Sequence, residues 1–207
     1  MNLRLATMLC GFLLLLIIVA NLTLYYISNG NLSVVFWYCD IAAIILIYAI
    51  YTKNNFLATS VLVTAIPAQF YWIVDFILEI FGYGAGRTAL LFENVNGIRI
   101  ILPVLLHTLL IPTAFFTVKL YGFNKRSIIF SIGFFSITLL VATYMIFSPS
   151  VNINCVFYPC DLSYYKNFIE IVNTQSYANI IYLLKYIIVA ILLATISHTL
   201  LSIVLKR

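Results

Sequence analysis

Four side chains in this sequence carry the chemistry of a covalent catalyst: Cys39, Asp40, Asp75 and His107. A thiolate can attack an acyl ester, a histidine can take the proton, and a carboxylate can orient the imidazole. Cysteine becomes such a nucleophile only with a base nearby; otherwise a buried cysteine behaves as a small hydrophobe. Histidine suits the base because it holds or releases a proton near neutral pH. Its ordinary alternative, inside a membrane, is a neutral hydrogen bond between helices.

A second set of polar residues could hold a substrate. Trp72, Asp75 and Glu79 fall at i, i+3 and i+7, so one stripe of a helix carries all three. Asn152 and Asn154 open a late loop, where their amides could orient a polar head group or hold an oxyanion. Alternation in Val151-Asn152-Ile153-Asn154-Cys155 suggests an extended segment there. Lys185 is the expected ion-pair partner of Asp75, with Arg99 as the alternative. Asp75, His107 and Lys185 could instead form a proton or ligand relay between helices. Cys155 and Cys160 bracket Val-Phe-Tyr-Pro and are expected to close a disulfide on an oxidising face. No histidine shares their loop, so no zinc site and no other metal or cofactor is expected. Gly82, Gly84 and Gly86 form no phosphate loop, since no Walker lysine follows them.

These residues stand in a chain of 207 residues that is 64% hydrophobic and 8% charged. Soluble domains carry about 25% charged residues. The composition therefore excludes a soluble enzyme, a disordered tail and a nucleic-acid binder with a basic patch. A mean hydropathy of +1.11 agrees. The expectation is an all-α, polytopic transmembrane helical bundle forming one domain. Six apolar runs are long enough to span, since a crossing needs about 20 helical residues. They lie at about 5–27, 34–51, 56–81, 98–121, 127–148 and 178–204.

Charge gives the orientation. With the N-terminus inside, Arg4, Lys53, Lys119, Lys125, Arg126, Lys206 and Arg207 face the cytoplasm. Arg87, Arg99, Lys166 and Lys185 lie towards the outside, a positive-inside bias. Six spans then place both termini in the cytoplasm. Asp40, Asp75, Glu79, Glu93, Asp161 and Glu170 all fall in the outer half, so polar work is expected to face outwards. The outer loops, 82–97 and 149–177, are longer than the inner ones, and 161–172 could lie as a surface helix. Asn21 and Asn31 match glycosylation acceptors, but the first lies in a span and the second hugs the membrane. His198, in the inner half of the last span, is expected to pack.

In order, the landmarks are Trp37-Tyr38-Cys39-Asp40, Trp72-Ile-Val-Asp75-Phe76, His107, Tyr121-Gly122-Phe123-Asn124-Lys125-Arg126 and Asn152-Ile153-Asn154. This pattern resembles a group of uncharacterised prokaryotic six-span membrane proteins, over about residues 34–160. More distantly it is similar to the YwaF-like proteins and the related ether-phospholipid Cys/His acyltransferase family. On that likeness Cys39 matches the motif cysteine, His107 the later histidine and Asn154 the loop asparagine. The family's motif histidine is Trp37 here, and Asp40 stands where a small polar residue is usual. The resemblance implies a prokaryotic cell membrane, membrane lipids as partners, and acyl transfer by the cysteine and histidine. The expected function is thus a lipid acyltransferase or hydrolase. A transporter or receptor using the relay, and a structural accessory subunit, are the alternatives.

Overall fold

The computed structural model describes residues 2–84, 88, 97–147, 153–155 and 176–205, with the side chains of 29, 153 and 176–179 left aside. Its helices are α1 (Leu3–Asn29), α2 (Tyr38–Thr52), α3 (Asn55–Ile80), α4 (Gly97–Tyr121), α5 (Ser127–Ile146) and α6 (Ser176–Val204). No strand occurs among the described residues. Five of these helices are long and apolar enough to cross a membrane; α2, with 15 residues, is the short one. The chain is an all-α, multi-pass membrane bundle.

Each end of the bundle is fixed by polar contacts. At one end the α2–α3 and α4–α5 connections meet. Asn54 accepts from Leu57 N at 3.1 Å and caps α3. Asn124 Nδ2 donates to Asn55 Oδ1 at 3.2 Å, and Tyr121 Oη to Ile50 O at 3.4 Å. His198 Nε2 lies 3.0 Å from Lys125 O, which ties α6 to the same end. At the opposite, acidic end, Arg99 on α4 donates to Ser28 Oγ on α1.

Helix α3 sits at the centre and packs against α2, α4, α5 and α6. Small side chains let it do so. Ala42, Ala43 and Ala49 of α2 and Ala58 and Ala65 of α3 are fully buried, which allows close backbone approach without a large apolar driving force. Hydroxyls supply the adhesion between α3 and α5. Ser60 Oγ donates to Ser127 O at 3.2 Å, and Ser131 Oγ to Ser60 O at 3.3 Å. By contrast, α1 and α6 leave Leu16, Val19, Leu192 and Ile196 exposed. Such apolar faces are at home against lipid chains.

Gly11 of α1 packs against Ile50 of α2. A Cβ there would stand 2.9 Å from Ile50 Cδ1. Gly11→Ala should be tolerated, because the tip of Ile50 can turn aside. Gly11→Ile should cost about 1–3 kcal/mol by overpacking, read as a lower melting temperature of the purified protein in detergent. An unchanged melting temperature in Gly11→Ile would remove this contact from the packing.

The expected second span, 34–51, is corrected in one respect. Ser33–Phe36 is a separate 3-10 turn, Trp37 is extended (φ −63°, ψ 139°), and α2 starts only at Tyr38. A helix of that length rises about 22 Å, and the turn extends the apolar segment beyond its first residue. Pro67 is accommodated inside a continuous α3, and Pro103 and Pro112 inside a continuous α4. In α5 a π segment, Ser131–Thr138, interrupts the α geometry. Its extra turn width is matched by hydroxyls reaching five residues back. Ser136 Oγ donates to Ser131 O at 3.4 Å and Thr138 Oγ1 to Gly133 O at 2.7 Å.

Candidate functional site

A cavity of about 680 Å³ opens inside the bundle and is lined by residues of all six helices. It gathers several of the residues singled out in the sequence, among them Cys39, Asp40, Trp72, His107 and Asn154. The volume falls within the usual range for small-molecule sites. Leu102, Leu106, Val189, Leu193 and Leu140 give it apolar walls.

Cys39 and Asp40 enter from the first turn of α2, both buried. A carboxylate there meets the positive end of the helix dipole. Asn21 Nδ2 of α1 donates to Asp40 Oδ1 at 3.3 Å, and the Cys39 thiol to Asp40 Oδ2 at 3.6 Å. The thiol hydrogen is therefore directed at the neighbouring carboxylate rather than at His107. Among the described residues no cationic side chain pairs with Asp40.

His107 is buried on α4 and is held from α3 on two sides. Its Nδ1 hydrogen-bonds Gln69 Oε1. Its ring lies on the Trp72 indole, with centroids 3.8 Å apart and planes 2° from parallel. Trp72 in turn stacks on Phe76 at 5.4 Å. An amide oxygen facing Nδ1 is satisfied by a hydrogen on that nitrogen. Gln69 and Trp72 are three positions apart, so they share a face of α3 and grip one ring. Gln69 is 1% exposed. It was not among the expected site residues; its one sequence signal is an amide inside an apolar span.

Asn154 stands at the break between the 3-10 turn and α2. Its Oδ1 accepts from Tyr38 N at 2.7 Å, and its Nδ2 donates to Phe36 O at 2.7 Å and to Thr143 Oγ1 at 3.3 Å. The amide thereby caps α2 from a remote segment. It does so from a left-handed backbone (φ 56°, ψ 15°), which asparagine adopts more readily than most residues. The expected oxyanion or head-group role gives way to this one, since both ends of the amide are spent on protein groups.

Other expected groupings are not assembled. Asp75 accepts from Thr88 N at 2.9 Å and Thr88 Oγ1 at 3.0 Å. Lys185 is exposed on α6, and neither residue lines the cavity. Of the relay set, His107 alone faces the cavity. Glu79, expected to be solvated, is half-buried, and its Oε2 has no hydrogen-bond partner among the described residues. Cys155 is disulfide-bonded, whereas Cys10 and Cys39 are free. Its expected partner Cys160, the amide of Asn152 and the surface helix over 161–172 lie outside the described residues. No cluster of metal-ligating side chains occurs among the described residues.

No protein family, characterised protein or solved structure matches the chain.

Proposed function

We propose that this chain is a lipid-handling membrane protein that takes an amphipathic molecule from the outer leaflet into the bundle cavity. One observation carries the reading. A single cavity of about 680 Å³ has a polar side, built from Asp40, Cys39, His107 and Gln69, and apolar walls from α4 and α6. A polar head belongs on the first surface and a hydrocarbon chain on the second. Residues of α1 and α6 both line the cavity, so a ligand entering between them would slide in from lipid without crossing water.

The test is occupancy. The full chain purified in mild detergent should retain co-purified lipid in native mass spectrometry. Ala190→Phe, which fills the cavity from α6, should lower that retention at least tenfold while leaving the melting temperature within a few degrees. Equal retention by the two proteins, or none by the wild type, would overturn the reading.

A second reading, acyl transfer, is favoured by the shared cavity of Cys39, Asp40 and His107. The Cys39 thiol would pass its proton to Asp40 and Sγ would attack the ester carbonyl. The carbonyl–oxygen bond would break, the alcohol would leave with a proton, and an acyl thioester would remain on Cys39. His107 then serves the proton transfers. Incubation with a phospholipid should add one acyl mass to the wild type and none to Cys39→Ala. Lipid turnover that persists in Cys39→Ala would exclude the covalent route.

A further inference from the structure

We propose that the cavity recognises a zwitterionic head group, with its ammonium on Asp40 and its phosphate on Arg99. The inference rests on the lipid-handling reading and names the class of lipid. Asp40 is 1% exposed, and its two oxygens accept only neutral donors, the Asn21 amide and the Cys39 thiol. A buried carboxylate is costly unless a cation or strong donors offset its lost hydration. Trp37, Tyr38 and Trp72 line the same space, and aromatic faces attract ammonium groups. An amine ligand supplies the charge that the described protein does not.

Arg99 provides the opposite charge at the mouth. It lies in the first turn of α4, lines the cavity, and donates to the Ser28 hydroxyl of α1. Among the described residues no carboxylate answers it. Both anchors are thus tied to α1, Asp40 through Asn21 and Arg99 through Ser28. These two residues are seven apart and share one face of the helix. The axial rise between them is about 10 Å, so the two anchors stand along one wall of the cavity. A head group that carries both an amine and a phosphate supplies the charge each of them lacks. Leu24 and Tyr25, between the anchors, complete the cavity wall. The phosphate of an outer-leaflet lipid already lies at the interface, where Arg99 begins its span.

The experiment offers the detergent-solubilised full chain an equimolar mixture of dioleoyl phosphatidylethanolamine, phosphatidylglycerol and diacylglycerol, and reads bound lipid by native mass spectrometry. The wild type should retain phosphatidylethanolamine at least tenfold over phosphatidylglycerol. Asp40→Asn should erase that preference, and Arg99→Gln should bring both phospholipids down to the level of diacylglycerol. The wild-type comparison needs no variant, so it stands even where Asp40→Asn folds poorly. Equal retention of the two phospholipids by the wild type, or an undiminished preference in folded Asp40→Asn, would overturn the head-group assignment. Retention of all three lipids alike defeats only that assignment, whereas retention of none defeats the lipid-handling reading as well. Competition by free phosphoethanolamine would identify a soluble zwitterion as a source of the same chemistry; competition by the lipid alone would identify the leaflet.

Discussion

Asn154→Ala should lower the stability of the bundle by about 2–5 kcal/mol, the sum of two separate losses. The first is hydrogen bonding. Tyr38 N and Phe36 O meet the Asn154 amide at 2.7 Å each, and leaving a buried backbone group unsatisfied costs about 1–3 kcal/mol. The second is backbone conformation. Asn154 has φ 56°, where alanine pays about 1–2 kcal/mol that asparagine largely avoids. Asn154→Gly separates the two, because glycine keeps the left-handed backbone and loses the amide. Its cost should fall between wild type and alanine. Asn154→Asp keeps the acceptor for Tyr38 N but loses the donor to Phe36 O, so it should also be intermediate. Thermal unfolding of the full chain in detergent measures all three. A wild-type melting temperature for Asn154→Ala would show that α2 holds its start without this cap.

That cap also explains what the sequence could and could not disclose. The apolar runs are long, so helices longer than about 20 residues announced themselves from hydropathy alone. Their ends at Lys53-Asn54 and at 122–126 are marked by turn formers, and Lys53 and Gly122 do take left-handed backbones. The break at Trp37 had no such mark. Val34-Val35-Phe36-Trp37 reads as continuous apolar chain, and the group that stops it comes from Asn154, 116 residues away from Tyr38. Long-range capping leaves no local trace. Cys39, Asp40, Trp72 and His107 were legible for a different reason: polar or reactive groups in a span are few, and the bundle turns them inward together. Their partners were less so. Asp75 and Lys185 looked like a natural pair by sign of charge, yet Asp75 takes the hydroxyl and N–H of Thr88. Charge alone does not say which donors the fold brings to a carboxylate. Gln69 escaped because an amide carries no charge to count, although the cost of burying it without a partner is similar in kind.

Gln69→Leu should destabilise the protein by about 1–3 kcal/mol, because it removes the acceptor that faces His107 Nδ1 in a buried place. His107→Leu should cost a similar amount, since it leaves the Gln69 amide without the ring and removes the face that stacks on Trp72. The double replacement should cost clearly less than the sum. Taking both partners away leaves no unsatisfied group, and a coupling of about 1–2 kcal/mol is the expected gap. Strict additivity would mean that the two side chains are near each other without stabilising each other. The same bond has a chemical consequence that stability does not report. Gln69 Oε1 facing the ring favours a hydrogen on Nδ1. Nitrogen-15 spectra of histidine-labelled protein should therefore show one tautomer for His107 in the wild type. Gln69→Leu should relax that preference, while Gln69→Glu should enforce Nδ1–H at least as strongly. A mixed tautomer in the wild type would deprive His107 of a fixed proton acceptor. It would also weaken the acyl-transfer reading more than the lipid-handling one, because a cavity can bind a head group beside a neutral ring of either form, but a directed proton transfer needs one of them.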